Sequence, residues 1–542
     1  MSLTLRLMAR SCSAAALAAL ASCATPPAER TPLKLTILHT NDHHGRFWPN
    51  GDGEYGMAAR KTLIDRIRAE VKAAGGELLL LDGGDINTGV PESDMQEAEP
   101  DVKGMNLIGY DASAVGNHEF DKSPEVLARQ RSWAKFPLLA ANIYKDGQRL
   151  FEPYAMFERG GYKIAVMGLT TDDTRIMVLP ANIAGIEFRK PAEEAAKLLP
   201  ELRKQADMVI AATHMGHYTD GKRGVNAPGD VEMARTTTGL DLIVGGHSQN
   251  PVCMLAENRR NDAYVPGTLC APDRQNGTWI VQAHEWGKYV GRADFEVRPG
   301  SVQLLRYQLL PVNLKQRAAA DGSRKTFTDL IPEDESLKAF LRPFQENGQA
   351  KLGLEVGSAD GVFDGDRDRV RKQPTNMGVL IARTMMERTG ADLALMNSGG
   401  VRDSLPAGRI SYRDVLKVQP FGNTVCVVRL TGAELLAYLQ AAAKMTPGSG
   451  AFPQTAGLRW VIADGQLVSA EVGGQAIDPK REYRLAINNF TASGGDGYPK
   501  LNEHPGYINS GFVDAEVLRD FIHRNSPLKS ANFAPGDAVQ RR

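Results

Sequence analysis

Short apolar runs recur along the first half of the chain, and each ends in polar residues: LKLTILH, ELLLLDGGD, ASAVGNHEF, PLLAANI, YKIAVMGLT, DMVIAATHMGH and DLIVGGHS. Runs of this length read as buried strands, and the amphipathic stretches between them read as helices, so the pattern predicts an α/β domain with buried sheets. In such sheets chemistry collects beyond the carboxyl ends of strands, which directs attention to the polar endings. Near Glu333 the texture changes to EDESLKAFLRPFQENGQAKL, charged and helical in period apart from Pro343. A second α/β segment follows, with strands such as DLALMNS and EYRLAINNF. At 542 residues the chain exceeds one ordinary core. The expected division is a leader over 1–23, a first domain over 31–332, a helical linker over 333–352 and a second α/β domain over 353–542.

Lys plus Arg and Asp plus Glu are each 64, giving a formal net charge of zero. Without a basic excess, phosphate neutralisation along a nucleic acid is not expected. Arg6 and Arg10 precede SCSAAALAALASC, which is too brief to span a bilayer and reads as an export signal. Its end, Leu20, Ala21, Ser22 and Cys23, resembles the lipobox of bacterial lipoproteins. Cys23 is thus expected to carry a lipid anchor, the chain's one link to a membrane. Ala24 after it points to the outer membrane on the periplasmic side. An ordinary cleavable signal with a chance Cys is the alternative. An oxidising compartment favours a disulfide between Cys253 and Cys270, whereas Cys426, inside TVCVVRL, reads as a buried thiol.

The whole chain has ten histidines, and three of them, His39, His43 and His44, stand in HTNDHHG after the first apolar run. On an extended strand end, residues two apart share a side, so Asp42 and His44 can face one point while His43 faces away. The same spacing recurs for His247 and Gln249 in GGHSQ. Between them come Asp85 in DGGD, Asn117 in GNHEFD and His214 in ATHMGH. Carboxylate, imidazole and amide oxygen suit hard or borderline divalent ions, and the absence of Cys argues against a structural zinc site. Each has a plainer reading alone, Asn117 as a helix N-cap for instance. Five such endings in one domain favour a metal centre.

HTNDHHG, GGD, GNHEFD, THMGH and GGHSQ, in this order, resemble the calcineurin-like metallophosphoesterases. The chain from about Leu33 onward is similar to the bacterial periplasmic 5′-nucleotidase/UDP-sugar hydrolases. That resemblance implies a four-layer α/β/β/α catalytic domain and a C-terminal substrate-binding domain. It also implies two divalent ions (Zn, Mn or Co), one on Asp42, His44, Asp85 and Gln249, the other on Asp85, Asn117, His214 and His247. Asp85 would bridge them, and a shared hydroxide would attack phosphorus. His118 and Asp121 would form the catalytic dyad that stabilises transition-state charge and the leaving oxygen.

In the second half, Arg367 and Arg371 of GDRDRVRK are four apart, and Arg402 follows the glycines of NSGGVR; guanidinium groups bind phosphate in a planar fork. Phe421 in QPFGN and Phe490 in NFTASGGDGYP sit among glycines and polar residues, where aromatics can stack a base. By resemblance, Phe421 and Phe490 sandwich the nucleobase with Asn423 and Gly450 nearby, and Asp496 bonds the ribose hydroxyls. NSGG departs mildly from a longer glycine run in some relatives but leaves the arginine in place. The resemblance implies hydrolysis of 5′-nucleotides, cleavage of UDP-sugars to UMP and sugar 1-phosphate, a rotation of the second domain that carries substrate to the metals, and a role in nucleotide salvage. A monomer is expected. A 3′-nucleotidase acting on 2′,3′-cyclic nucleotides and a non-catalytic nucleotide-binding protein are the rival readings.

Overall fold

The computed structural model describes residues 30–542 apart from 179, 219–227, 262, 319–322, 446, 537, 538 and 542. The expected leader and Cys23 lie outside the described residues. In chain order the first half contains strands β1 (Leu33–Thr40), β2 (Glu77–Asp82), β3 (Ala112–Ala114), β4 (Leu138–Leu139), β5 (Tyr154–Arg159), β6 (Tyr162–Thr170), β7 (Met208–His214), β8 (Leu242–Val244), β9 (Asp273–Gln275), β10 (Thr278–Val281), β11 (Tyr289–Arg298) and β12 (Ser301–Pro311). They form two six-stranded sheets, ordered β12-β11-β1-β2-β3-β4 and β9-β10-β8-β7-β6-β5. β1 runs parallel to β2, with Leu35 opposite Glu77 and Thr40 opposite Asp82, and β7 runs parallel to β6 and β8.

Alternation along the strands decides which core each side chain enters. Leu35, Ile37, Leu79 and Leu81 point inward and meet Ile164, Val166, Ile210 and Val244 of the second sheet. Leu38 and Leu80 point the other way and meet helix α1 (Met57–Ala73) through Leu63, Ile64, Ile67 and Val71, an apolar stripe at helical spacing. On the far side, Val209, Ala211 and Ile243 receive helix α2 (Pro191–Gln205) through Ala195, Leu199 and Leu202. Helix, sheet, sheet and helix thus stack in the four layers expected from the sequence.

Helix α3 (Glu335–Lys351) leads out of this half, its first turn capped by the Asp334 carboxylate, which accepts from the Leu337 amide at 2.8 Å. In the second half a five-stranded sheet is ordered β15-β13-β16-β14-β17, from β13 (Leu393–Asn397), β14 (Thr424–Thr431), β15 (Pro453–Ala456), β16 (Glu482–Asn488) and β17 (Tyr507–Val513). Ala394 and Met396 face helix α4 (Asn376–Thr389), whereas Leu393 and Leu395 face helix α5 (Gly432–Ala443). Cys253 and Cys270 are disulfide-bonded and Cys426 is a buried thiol, as the sequence suggested. No helix among the described residues is long and apolar enough to cross a membrane.

Candidate metal centre and nucleotide platform

Seven polar side chains gather where the parallel strands of both sheets end. Asp42 and His44 follow β1, Asp85 follows β2, Asn117 follows β3, His214 ends β7, and His247 and Gln249 follow β8. The loops are tied together by backbone bonds from Asp42 N to Gly84 O (2.9 Å) and from His44 N to Asp85 O (3.1 Å). The His247 amide donates to the Asp42 carboxylate at 2.9 Å, joining one sheet's loop to the other's. The extended strand end anticipated for Asp42 and His44 is not what forms. β1 stops at Thr40, and Asp42 (φ 52°), His44 (51°), Asp85 (60°), His247 (75°) and Gln249 (52°) are all left-handed. Each such residue costs about 1–2 kcal/mol. The loops must turn sharply to point their side chains back across the sheet edge, and the surrounding bonds hold that geometry.

Asp85, 2% exposed, is the common member. Its Oδ2 lies 2.9 Å from His214 Nε2, 3.8 Å from His44 Nε2 and 3.9 Å from His118 Nε2. His247 Nδ1 approaches His214 Nε2 at 3.3 Å, His44 Nε2 is 3.7 Å from Asp42 Oδ1, and Gln249 Nε2 lies 2.8 Å from His44 Nε2. The trios His44, Asp85, His118 and Asp85, His214, His247 each keep their donor atoms within 4.8 Å of one another. His44 Nδ1 donates to the Thr88 carbonyl at 2.8 Å and His214 Nδ1 to that of Gly83 at 2.7 Å, which turns each Nε2 toward the centre. Asn117 occupies the N-cap position of a short turn, but its side chain makes no capping bond, and its buried Oδ1 has no hydrogen-bond partner. An unpartnered amide oxygen beside oriented imidazoles and a central carboxylate is a donor set that fits divalent cations.

Burial opposes ionising Asp85, but His214, His118 and His44 outweigh it and hold the carboxyl well below the usual carboxylate range. Burial would keep His118 neutral, yet Asp121 and Asp85 push its imidazole up to about 10. Its Nδ1 lies 2.5 Å from Asp121 Oδ2, which also accepts from Thr88 Oγ1 at 2.6 Å. Burial, reinforced by His214, lowers His247 to about 4, leaving it neutral.

The residues expected to hold substrate lie elsewhere. Arg367 stands on the helical turn Arg367–Val370 and Arg371 caps it. Burial lowers Arg371, and the Arg367 and Arg402 charges add to that, so three guanidinium groups converge. Arg402 Cζ lies 5.4 Å from the Phe421 ring centre. Phe421 and Phe490 are 55% and 43% exposed, and Phe490 rests on Gly495, where a Cβ would meet its ring at 2.5 Å. Asp496 accepts from Asn397 Nδ2 at 2.8 Å and sits beside Gly450, while the Asn423 carbonyl accepts from the Asp514 amide. None of these eight lines the roughly 440 Å³ cavity over the metal centre, whose second-half rim includes Asn489, Ser493, Tyr507 and Asn509. Gly511 of β17 instead packs on the His118 imidazole, so closely that a Cβ there would clash with Cε1.

Comparison with known proteins agrees with this geometry. Residues 35–251 match the calcineurin-like phosphoesterase family and 355–503 the 5′-nucleotidase C-terminal domain family. Protein UshA of Escherichia coli is 57% identical over 93% of this chain and 94% of its own length. The chain belongs to the 5′-nucleotidase branch of the calcineurin-like phosphoesterases. A 5′-nucleotidase of Vibrio cholerae is 56% identical over 98% of both chains. Among solved structures, the Haemophilus influenzae NAD nucleotidase matches with a TM-score of 0.78 at 22% identity, covering 94% of this chain and 100% of its own, a likeness of fold. A Thermus thermophilus 5′-nucleotidase precursor matches with a TM-score of 0.54 at 30% identity, over 94% and 99% of the two chains.

Two supports of this phosphoesterase centre escaped sequence reasoning. Glu119, 3% exposed, accepts from the amides of Asp85 (3.1 Å), Ile86 (2.8 Å), Asn87 (3.3 Å) and Gly116 (2.6 Å), clamping the Asp85 loop to the Asn117 loop. A carboxylate lodged between Asn117 and Asp121 in GNHEFD was the available signal. His43, turned away as expected, bonds Asp101 at 2.8 Å while Arg60 reaches its Nδ1 at 3.2 Å. Burial pushes the Asp101 carboxyl up to about 8, so it serves as a structural acid behind the site.

Proposed function

We propose that this phosphoesterase is a 5′-nucleotidase that also cleaves UDP-sugars to UMP and sugar 1-phosphate, works in the periplasm on a lipid anchor at Cys23, and serves nucleotide salvage. The observation that carries the reading is the pairing of a buried imidazole and carboxylate centre at Asp85 with a platform of three arginines, Arg371 half-buried, and two exposed phenylalanines. Asp42, His44, Asp85 and Gln249 would hold one divalent ion and Asp85, Asn117, His214 and His247 the second. When bound, such ions supply a nucleophilic water at neutral pH and draw charge from phosphoryl oxygens.

The protein's own groups do the rest. Phe421 and Phe490 stack the base, Asp496 and Asn423 bond the nucleoside, and Arg367, Arg371 and Arg402 take phosphate oxygens. His118, kept cationic by Asp121, faces Asp85 with its Nε2 and is placed to donate to a phosphoryl or leaving oxygen. Water's oxygen joins phosphorus, and the ribose O5′, or the second phosphate of a sugar nucleotide, departs. Since the platform lies off the metal cavity and β17 covers His118, the second half must swing before chemistry. A cross-link fixing the present arrangement should abolish turnover and spare nucleotide binding; unchanged turnover would contradict the swing.

The deciding experiment strips the mature protein with chelator, restores manganese, cobalt or zinc, and offers 5′-AMP, 3′-AMP and UDP-glucose separately. Metal-dependent phosphate from 5′-AMP and glucose 1-phosphate from UDP-glucose are expected. Preference for 3′-AMP would move the chain to the 3′-nucleotidase reading, and silence with metal bound would return the non-catalytic one.

A further inference from the structure

Within the disulfide-bonded loop from Cys253 to Cys270, a short hairpin pairs Met254–Ala256 with Arg259–Arg260. Arg259 is exposed, but Arg260 is half-buried and lines the metal cavity together with Asp85, His247 and Gln249. Its head is fixed: Nη1 donates to Asn250 Oδ1 at 2.9 Å and, at 3.4 Å, to the His217 carbonyl. Asn250 directly follows the candidate ligand Gln249. The His217 imidazole is itself pinned to Asp273 at 2.9 Å with both side chains buried, so the guanidinium stands on a rigid base. Among the described residues that line the cavity it is the one Lys or Arg.

We propose that Arg260 is a specificity residue for diphosphate esters, binding the phosphate next to the one held at the metals. The inference rests on the sugar-nucleotide reading above. A monoester places its one phosphate at the ions, whereas a nucleoside diphosphate or UDP-sugar brings a second anionic group into the same cavity. Arg367, Arg371 and Arg402 belong to the other half and lie off the cavity in this arrangement, while Arg260 shares a loop system with Gln249 and bonds Asn250 and His217 of the first half. A guanidinium fork fits phosphate oxygens, and a hydrogen bond to a charged group of this kind changes affinity by about 10- to 100-fold when removed.

The test titrates manganese-loaded protein calorimetrically with α,β-methylene-ADP and with the non-hydrolysable 5′-methylenephosphonate analogue of AMP, then compares kcat/KM for UDP-glucose and 5′-AMP. Arg260→Gln should lower the diphosphate-to-monophosphate ratio at least tenfold in both measurements, and Arg260→Lys should retain part of it. Arg259→Gln, on the same hairpin, should hold the ratio within twofold. Metal content and melting temperature guard against misfolding; if Arg260→Gln fails to fold, Arg260→Lys gives the same readout at smaller size. An unchanged ratio, or equal losses for both ligand classes, overturns the assignment. If wild type leaves UDP-glucose intact while the methylene-ADP ratio still falls, the sugar-nucleotide reading fails and the Arg260 contact stands.

Discussion

The candidate metal centre and the proposed nucleotide platform are built on opposite plans. Around Asp85 most side chains are buried, His44, His118 and His214 are each oriented by a second bond, and five candidate ligands are held left-handed. On the platform the two rings and Arg367, Arg402 and Asp496 stand exposed, and like charges face one another. A cation centre must be preorganised, because its ligands repel or strain one another until the metal arrives. A surface that collects a ligand from solvent can stay open, since the ligand itself supplies the burial and the countercharge.

That contrast can be broken at several points. The largest effect is expected from Asp85→Asn, which removes the group common to both trios: metal content falls and turnover of 5′-AMP drops roughly 10³-fold or more, read by metal analysis and phosphate release. His118→Asn should leave bound metal intact and lower kcat by about 10²–10⁴-fold; parallel loss of metal would place His118 among the ligands instead. Phe421→Ala or Phe490→Ala should raise KM by about 5- to 100-fold. Their exposure predicts little change in melting temperature, and a large one would mean the rings are structural.

The smallest effect concerns Asp514, which begins helix Asp514–Asn525 behind Asn423. Burial pushes its carboxyl up to about 8. A folded-state value above the unfolded one, about 3.9, means the native protein holds a proton that the unfolded chain releases. Stability therefore falls as pH rises through that window and levels off above about 8. Melting curves between pH 5 and 8.5 should slope less for Asp514→Asn than for wild type.

Much of this was legible in the sequence because it is local. The apolar runs mark strands whose alternate residues enter different cores, and the polar endings after β1, β2, β3, β7 and β8 mark the centre. The separation of Cys253 and Cys270 within one polar loop also sufficed. What stayed hidden depends on distant partners: the left-handed turns that aim Asp42 and Gln249, the four amides collected by Glu119, the buried trio of His43, Arg60 and Asp101, and the seating of Gly511 on His118. Spacing along a chain carries no record of which backbone amides will converge on a carboxylate. Nor does it say where one half will rest against the other.

Helix α3 is an element that both halves claim. Leu337 and Leu341 are buried with α1 in the core of the first half, and Gln349 and Asn347 bond Glu92 and Gln96 there. Leu352, just past its end, already sits in the core of the second half, and its carbonyl accepts from Arg413. Ownership of the chain passes from one hydrophobic core to the other within a few residues. Under the swing proposed above, the helix would act as an axle held in the first half with its bearing at Lys351–Gly353, a pivot of small radius that leaves the helix unbent. Lengthening the stretch after Lys351 would slacken the joint, whereas changing the exposed face of the helix would leave it alone.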